Sequence, residues 1–254
     1  MQCGITYKSV NEVTDRALNI VILTGAGISA ESGLRTFRAD DGLWEDHRVE
    51  DVCTPGAYAR DAELVHRFYD MRREAAAAAE PNAAHRALAE LEAAWDGDFL
   101  MVTQNVDALH ERAGSKRLIH MHGELNNGWC LACDTRSSWA GPMGVDADCP
   151  ACGSKGAVRP DIVWFGEMPY EMERIDDALR RCDLFVSIGT SGAVYPAAGF
   201  VQTAKYVGAR TIEINLEPSL GSLFFDERFN GLASEEVPKW ARLLQSAQSR
   251  PISS

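Results

Sequence analysis

Short apolar runs rich in β-branched residues recur along the chain and predict the buried strands of one sheet. They occupy segments 18–23, 99–102, 118–121, 184–188 and 211–214. A continuous apolar run is typical of a strand that is covered on both faces in a parallel sheet. Helical segments separate these runs, so the pattern predicts an α/β fold with a doubly wound parallel, Rossmann-like sheet.

Two helices are predicted between the first two strands. In segment 61–80, Leu64, Phe68 and Met71 repeat at the spacing of one helix face and are expected to form its core stripe. An alanine run extends that helix, and the pair 81–82 (Pro-Asn) ends it and opens the next one. The second helix has its predicted core stripe at Ala84, Leu88, Leu91 and Trp95.

Composition and charge narrow the class of protein. The chain has 254 residues, of which 46% are apolar and 24% charged, as expected for a globular protein with a sizeable core. Its net charge of -12 argues against a broad phosphate-binding face, so no nucleic-acid partner is expected. The sequence shows no secretory signal and no apolar run near the about 20 residues that span a bilayer. A cytoplasmic protein without a membrane partner is therefore expected. A monomer is the expected oligomeric state, although no sequence pattern determines it.

Four of the seven cysteines form two C-x-x-C pairs, Cys130/Cys133 and Cys149/Cys152, separated by fifteen residues. This is the spacing of a four-cysteine zinc ribbon, in which each pair presents two thiolates to one tetrahedral ion. Because sulfur would fill all four positions, the pattern predicts one structural Zn²⁺. A redox role is the alternative, although it needs only one such pair. The odd cysteine count argues against a disulfide framework.

The glycine-rich stretch after the first strand predicts a nucleotide cradle. Gly25, Gly27 and Ala30 fit the G-x-G-x-x-G/A pattern, in which small residues permit a tight turn and a close approach to a pyrophosphate. The helix that follows would direct its N–H groups and the positive end of its dipole at a bound anion. The alternative is a glycine-bearing turn without a ligand.

Polar residues follow further predicted strands, at the edge where ligands of open parallel sheets bind. Gln104, Asn105 and Asp107 come after the second strand, and the segments 189–191 and 215–217 follow two later ones. Helix capping by Asn105 or Asp107 explains those residues equally well.

A histidine pair closes the third strand, since period-2 alternation delivers His120 and His122 to the same side of the chain. With Gly123 behind it, His122 is a candidate general base. The alternative is a structural histidine.

Taken together, these motifs resemble those of the sirtuin family. The resemblance rests on GAGISAESG at 25–33, TFR at 36–38, QNVDALHERAG at 104–114, HMHGE at 120–124, the paired cysteines, WFGE at 164–167, GTS at 189–191 and NLEP at 215–218. They occur in the family's order and cover nearly the whole chain. Residues 33–38 read GLRTFR where family sequences often read GIPDFR. With residues 68–73, this departure resembles the bacterial and mitochondrial branch that removes acidic acyl groups.

The resemblance implies an NAD-consuming protein-lysine deacylase that removes acetyl, succinyl or malonyl groups from acylated-lysine proteins or peptides. The acyl oxygen would attack the nicotinamide ribose and expel nicotinamide, giving O-acyl-ADP-ribose and free lysine. His122 would act as general base on a ribose hydroxyl, while Asn105 and Asp107 would position the nicotinamide and its ribose.

The resemblance also implies the residues of both binding sites. The NAD contacts would come from Gly25, Ala26, Gly27, Glu31, Thr36, Phe37, Arg38, Trp44, Gln104, Asn105, Val106, Asp107, Gly189, Thr190, Ser191, Asn215, Leu216, Glu217 and Ala233. The substrate main chain would pair, as an added strand, with the segment of Val163, Phe165, Gly166 and Glu167.

Tyr69 and Arg72 are predicted to select the acyl group. They are three residues apart on one helix, so they share a face, and that face is offset from the stripe of Leu64, Phe68 and Met71. A phenol beside a guanidinium can bind the carboxylate of a succinyl or malonyl tail, which an acetyl group lacks. The alternative is a surface arginine paired with a nearby carboxylate.

A single catalytic domain is expected over 1–245, followed by a polar tail at 246–254. Its large, Rossmann-like part is predicted to comprise 1–44, 96–126 and 158–245. Its small part is predicted to comprise a helical insert at 45–95 and the zinc ribbon at 127–157.

Two other functions stay open on the residues alone. A mono-ADP-ribosyltransferase would use the same nicotinamide cleavage, whereas a non-catalytic NAD sensor or zinc-ribbon nucleic-acid binder would use the cradle or the ribbon alone. The acidic balance counts against nucleic acid, and the polar residues at three strand ends count against a pure scaffold. A dehydrogenase is disfavoured because no convincing acidic residue ends a second strand about 20 residues after the glycines.

Overall fold

The computed structural model describes residues 18–35, 43–44 and 47–248. Within these ranges the strands are β1 Ile20–Thr24, β2 Leu43–Trp44, β3 His47–Arg48, β4 Phe99–Thr103, β5 Leu118–His120, β6 Gly123–Cys130, β7 Arg136–Ser138, β8 Val158–Ile162, β9 Leu184–Ile188, β10 Arg210–Asn215 and β11 Glu227–Asn230. The helices are α1 Ala26–Ala30, α2 Val49–Val52, α3 Pro55–Arg60, α4 Ala62–Ala78, α5 Ala83–Ala93, α6 Leu109–Ala113, α7 Met172–Leu179, α8 Phe200–Tyr206 and α9 Ala233–Gln248.

Six strands form one parallel sheet in the order β11-β10-β9-β1-β4-β5. From β1 the chain moves outward through β4 and β5, then returns to β9 on the other side and moves outward again through β10 and β11. The direction of winding therefore reverses between β1 and β9. Such a switch point leaves a crevice at the carboxyl ends of the strands. The predicted Rossmann-like sheet is confirmed.

Helices cover both faces of this sheet because successive residues of each strand point to opposite sides. Ile20 and Ile22 of β1 pack with α5 and α9, while Val21 and Leu23 pack with α7 and α8. The predicted stripe of α5 is buried as expected, with Ala84, Leu88, Leu91 and Trp95 at most 5% exposed.

A smaller layer lies beside the large sheet. It contains the antiparallel sheet β7-β6-β8 and the helices α2, α3 and α4. Its own core joins side chains of α2 and α4 to Leu125, Ile162 and Trp164.

The packing places the division between the two layers differently from the sequence. Helix α5, which was assigned to the helical insert at 45–95, packs on the large sheet against α9. Its apolar stripe faces the strands, so it belongs with the large layer. Likewise β6 begins at Gly123, so the small sheet extends beyond the predicted ribbon at 127–157 on both sides.

The core face of α4 also differs from the prediction. Phe68 is buried, but Met71 is 53% exposed, and Tyr69 is fully buried in the small-layer core. The buried positions Val65, Phe68 and Tyr69 still follow helical spacing, shifted by about one residue from the predicted stripe. Tyr69 is thus a core residue and does not lie on a face offset from the core.

None of the helices in the described ranges combines the length and the apolar character that crossing a bilayer requires.

Candidate active site

The loops that follow β1 and β9 touch each other through main-chain atoms. The amide of Gly25 donates to Ile188 O at 3.0 Å, and that of Gly27 donates to Gly189 O at 2.8 Å. A Cβ atom on Gly25 or Gly27 would lie within 2.9 Å of this neighbouring backbone. Gly189 itself has a φ of +62°, in the left-handed region that favours glycine. These glycines are therefore required by the contact between the two loops.

A cavity of about 460 Å³ opens above this contact, at the carboxyl ends of β1, β4, β9 and β10. It is within the size range of small-molecule and cofactor sites. Its lining comprises Gly25, Ala26, Gly27, Ser29, Leu34, Arg35, Arg72, Gln104, Asn105, Val106, Asp107, His122, Phe165, Gly189, Thr190, Ser191, Ala193, Val194, Asn215, Leu216, Glu217, Pro218, Ser219 and Leu220.

The cavity brings together most residues predicted to contact NAD, from four separate strand ends. Two of those predictions have another environment. Glu31 is exposed, and its carboxylate accepts from Ser234 N at 3.0 Å and from Ser234 Oγ, which caps the start of α9. Ala233 is the first residue of α9 and is buried in the core of the large layer. Thr36, Phe37 and Arg38 lie outside the described residues, and only the backbone of Trp44 is described.

Under the cavity floor, Ser29 is the centre of a buried polar network. Its hydroxyl donates to Asp107 Oδ2 at 3.1 Å and accepts from Asn105 Nδ2 at 3.1 Å. Asn105 Nδ2 also donates to Gly25 O at 3.1 Å. The network thus ties the loop after β4 to the glycine loop, and the Ser29 hydroxyl and the Asn105 Nδ2 group both find acceptors in it.

A buried histidine extends this network from α5. His85 Nδ1 accepts from Asn82 N at 3.3 Å, so its proton is on Nε2, which points at Ser29 Oγ from 3.5 Å. Burial lowers the pKa of His85 to about 4, and the ring is neutral. Asn82 Nδ2 in turn donates to Ile28 O, which holds α5 against α1.

The acidic and basic groups of the site have shifted pKa values because they are buried. Burial raises the pKa of Asp107 above 3.8, against hydrogen bonds from Leu109 N and Ser29 Oγ that favour its carboxylate. Burial lowers the pKa of His122 below 6.5, with its hydrogen bond to Gln104 O opposing.

His122 presents its basic nitrogen with a defined tautomer. Its Nδ1 lies 3.2 Å from Gln104 O, and a carbonyl oxygen only accepts, so Nδ1 carries the proton of the neutral ring. Nε2 then keeps its lone pair. Val163 N donates to His122 O at 2.9 Å, which fixes the backbone of the histidine to the chain after β8. The arrangement supplies a neutral base at the cavity wall.

Of the two residues predicted to bind an acidic acyl group, Arg72 lines the cavity and Tyr69 is buried in the core of the small layer. Arg72 lines the cavity, with its guanidinium carbon 5.9 Å from the Phe68 ring centroid. Tyr69 lies behind it, where its hydroxyl accepts from Trp164 Nε1 at 3.0 Å and donates to Cys53 Sγ at 3.3 Å. Among the two, only Arg72 is part of the cavity lining.

The segment predicted to pair with the substrate main chain forms a turn at residues 165–167. The amide of Phe165 donates to Cys53 O at 3.0 Å, and Glu167 binds the buried guanidinium of Arg159 at 2.7 Å. Although burial acts to raise the pKa of Glu167, the hydrogen bond and charge of Arg159 lower it. Gly166 has a φ of +93°, in the left-handed region that favours glycine, and the chain turns there. Pairing of the substrate main chain with this segment stays a prediction.

The cysteine cluster fits a tetrahedral zinc ion. The Sγ atoms of Cys130 and Cys152 are 3.8 Å apart, as are those of Cys133 and Cys149. All four sulfur atoms lie within 4.8 Å of one another. Four ligands at about 2.3 Å in a tetrahedron are about 3.8 Å apart, so the donor set and its spacing match those of zinc. The predicted four-cysteine site is supported by this geometry.

Sequence reasoning missed several residues of the cavity. Leu34, Arg35 and Pro218 lie in quoted motifs but were not predicted to contact a ligand. Ala193, Val194, Ser219 and Leu220 belong to no quoted motif, and the fold alone brings them to the cavity. Ser29 did leave a signal, since it is a polar residue on the inner face of the short helix that follows the glycines.

Comparisons with known proteins agree with this geometry. Residues 25–196 match the model of the Sir2 family. An NAD-dependent protein deacylase of Bdellovibrio bacteriovorus is 61% identical over 224 residues, which cover 87% of this chain and 94% of the relative. A protein of the same name from Yersinia pseudotuberculosis is 57% identical over 225 residues, 88% of this chain and 81% of the relative.

Solved structures give the same result. A Sir2 homologue in complex with NAD is 40% identical, with a TM-score of 0.82 and coverage of 91% of this chain and 90% of that one. The protein Sir2Af2 bound to a myristoylated histone peptide is 33% identical, with a TM-score of 0.71 and coverage of 91% and 92%.

Metal analysis tests the zinc site. We expect protein purified without chelator to contain about one zinc per chain, and Cys149→Ser to lose most of it and to melt at a lower temperature, because metal binding and folding are coupled. Cys182→Ala is the matched control, since Cys182 is buried in the core of the large layer and lies apart from the cluster. A zinc content well below one in the wild type would contradict the assignment.

Proposed function

Because the chain belongs to the Sir2 family, we propose that it is an NAD-dependent protein-lysine deacylase whose active site is the cavity above the β1–β9 switch point. The observation that carries this proposal is the position of His122. A neutral imidazole at the wall of the cavity faces the same space as the glycine loop and the Asn105–Asp107 loop.

The cavity suits NAD by its shape and by its donors. The loops at Gly25 and Gly189 leave no room for a Cβ, so main-chain atoms form the floor where a pyrophosphate would lie. At the far end, Asn215 and Glu217 offer polar side chains to a ribose. Asn105 and Asp107, fixed by the Ser29 network, would hold the nicotinamide end. Thr36, Phe37, Arg38 and Trp44 are proposed as further NAD contacts on the family resemblance alone.

When bound, NAD supplies an electrophilic ribose that transfers to the acyl oxygen as nicotinamide leaves. The protein contributes by orienting the bound NAD and the acyl group and by accepting one proton. His122 Nε2 would accept that proton from a ribose hydroxyl, while Nδ1–H remains bonded to Gln104 O. Burial keeps the ring unprotonated near neutral pH, which is the state that a general base needs.

We propose that Arg72 selects acidic acyl groups. Its cation is at the cavity wall, where it could bind the carboxylate of a succinyl or malonyl tail. Tyr69 would act from behind this wall by fixing Trp164 and α4. The substrate main chain would bind along residues 163–167, with Phe165 at the cavity and Gly166 at the exposed turn.

We propose acylated-lysine proteins as partners. Two relatives are named protein deacylases, and the related Sir2Af2 was solved with a myristoylated histone peptide bound. The six cysteines of the described ranges are all free of disulfides, which fits the proposed cytoplasmic location. A monomer stays a prediction that light scattering can check.

Product analysis tests the function. On incubation with NAD and matched acetyl-, succinyl- and malonyl-lysine peptides, we expect release of nicotinamide, loss of the acyl mass from the peptide and formation of O-acyl-ADP-ribose. Mass spectrometry that instead finds ADP-ribose added to protein would favour a transferase. No nicotinamide release with any peptide would contradict both activities.

His122→Tyr should abolish acyl transfer, with a loss of roughly 10²-fold or more in kcat, because general-base catalysis contributes about that much. The variant should remain folded and zinc-loaded. In the wild type, the lowered pKa of His122 predicts that activity is lost on acidification only below pH 6.5. Retained turnover in the variant would remove His122 from its proposed role.

Arg72→Met should lower kcat/KM for the succinyl-lysine peptide by roughly 10- to 100-fold, the value of a charge-assisted hydrogen bond, while deacetylation changes little. Arg67→Met on the same helix is the matched control, since Arg67 is exposed and pairs with Glu63. An equal fall of both activities would show that Arg72 does not recognise the acyl carboxylate.

A further inference from the structure

A second histidine, His120, lies beside the proposed active site without a place in the reaction described above. It ends β5, two residues before His122, and its side chain is only 8% exposed. His120 Nδ1 is 3.0 Å from Asn105 O, and His120 Nε2 is 2.5 Å from Glu111 Oε1. One ring thus connects the loop after β4 to a carboxylate on α6.

Both partners of this ring accept hydrogen bonds and cannot donate them. Asn105 O is a main-chain carbonyl, and Glu111 presents a carboxylate. A neutral imidazole has only one N–H group, whereas an imidazolium has two. The geometry is therefore satisfied in full only when His120 carries both protons and a positive charge.

The charges around His120 favour that form. Glu111 faces it from α6, Glu124 from β6 and Asp107 from the loop after β4, while His110 of α6 is the other titratable neighbour. Burial acts to lower the pKa of His120, but the hydrogen bond and charge of Glu111 raise it above 6.5. Burial lowers the pKa of His122, so two histidines of one segment are shifted in opposite directions.

Asn105 is held in place through both its main chain and its side chain. Its carbonyl is held by His120, while its side chain donates to Gly25 O and Ser29 Oγ. The positive ring also favours the carboxylate form of Asp107, against the effect of burial. Neutral His120 would have to give up the hydrogen bond to Asn105 O or the one to Glu111.

We propose that His120, held as an imidazolium by Glu111, is a positioning residue that fixes the Asn105–Asp107 loop for binding of the nicotinamide end of NAD. This inference rests on the proposed function, since it requires NAD in the cavity. His120 acts through Asn105 and Asp107, and it takes no proton from the substrate.

The pH dependence follows from the direction of the shift. A group whose pKa is raised by folding contributes its stabilisation below its ordinary value, here 6.5, and loses it as the pH rises through the folded-state value. His120 therefore sets an alkaline limb on kcat/KM for NAD. His122, shifted the other way, sets the acidic limb.

Glu111→Gln tests the pair without disturbing the core, because the Glu111 side chain is 39% exposed. Glutamine keeps an acceptor oxygen but removes the charge. We expect the alkaline limb of kcat/KM for NAD to move to lower pH, and KM for NAD above pH 6.5 to rise roughly three- to tenfold, while the acidic limb stays in place. Glu90→Gln, an exposed carboxylate on α5, is the matched control and should leave the profile unchanged.

A ligand-free readout accompanies the kinetics. NMR of the imidazole nitrogens should show that the pKa of His120 lies above 6.5 in the wild type and is lower in Glu111→Gln. His120→Gln, which cannot titrate there, should lose the alkaline limb.

The outcomes separate the inference from the proposed function. An unmoved alkaline limb together with an unchanged His120 titration in Glu111→Gln would overturn the role of His120 while leaving an active deacylase. A wild type that releases no nicotinamide would overturn both.

Discussion

The structure depends on one close contact, the approach of the main chain after β1 to the main chain after β9. These loops belong to the two strands between which the winding of the sheet reverses, and hydrogen bonds from Gly25 and Gly27 join them. A side chain at either position would separate them. Because the two strand ends are held this close, the loops after β4 and β10 can close the same cavity from its two sides, and four distant stretches of sequence form one site.

Polar groups beneath that cavity are buried, and burial is costly unless each donor meets an acceptor. The hydroxyl of Ser29, the amide of Asn105 and the carboxylate of Asp107 satisfy one another, and His85 and His120 approach them from α5 and β5. The hydrogen bonds that offset the free-energy cost of burying these polar groups also fix the orientation of the groups that face the ligand. The same hydrogen bonds therefore keep the site rigid and pair the buried polar groups beneath it.

The sequence was informative where chemistry dictates residue type at short range. Apolar runs predicted the strands of the large sheet, glycines predicted the nucleotide loop, and paired cysteines predicted the metal cluster. It was misleading where tertiary packing decides which face of a helix is buried and which layer the helix joins. Tyr69 is offset from the predicted stripe, yet the small layer covers it. Helix α5 directly follows α4 of the small layer in the chain, yet its apolar stripe faces the large sheet. The role of Glu31 in capping α9 depends on a residue two hundred positions away, which local patterns cannot register.

Strand β6 connects the cysteine cluster to the segment that carries His122. It is eight residues long, its last residue is the zinc ligand Cys130, and the residue just before its first is His122. Its partner β8 leads directly into Val163, whose amide holds the backbone of His122. A zinc ion bound at Cys130 would therefore hold one end of β6, while His122, the proposed base, lies at the other end. Loss of the ion would loosen the support of the His122 imidazole, although the ion itself takes no part in bond making.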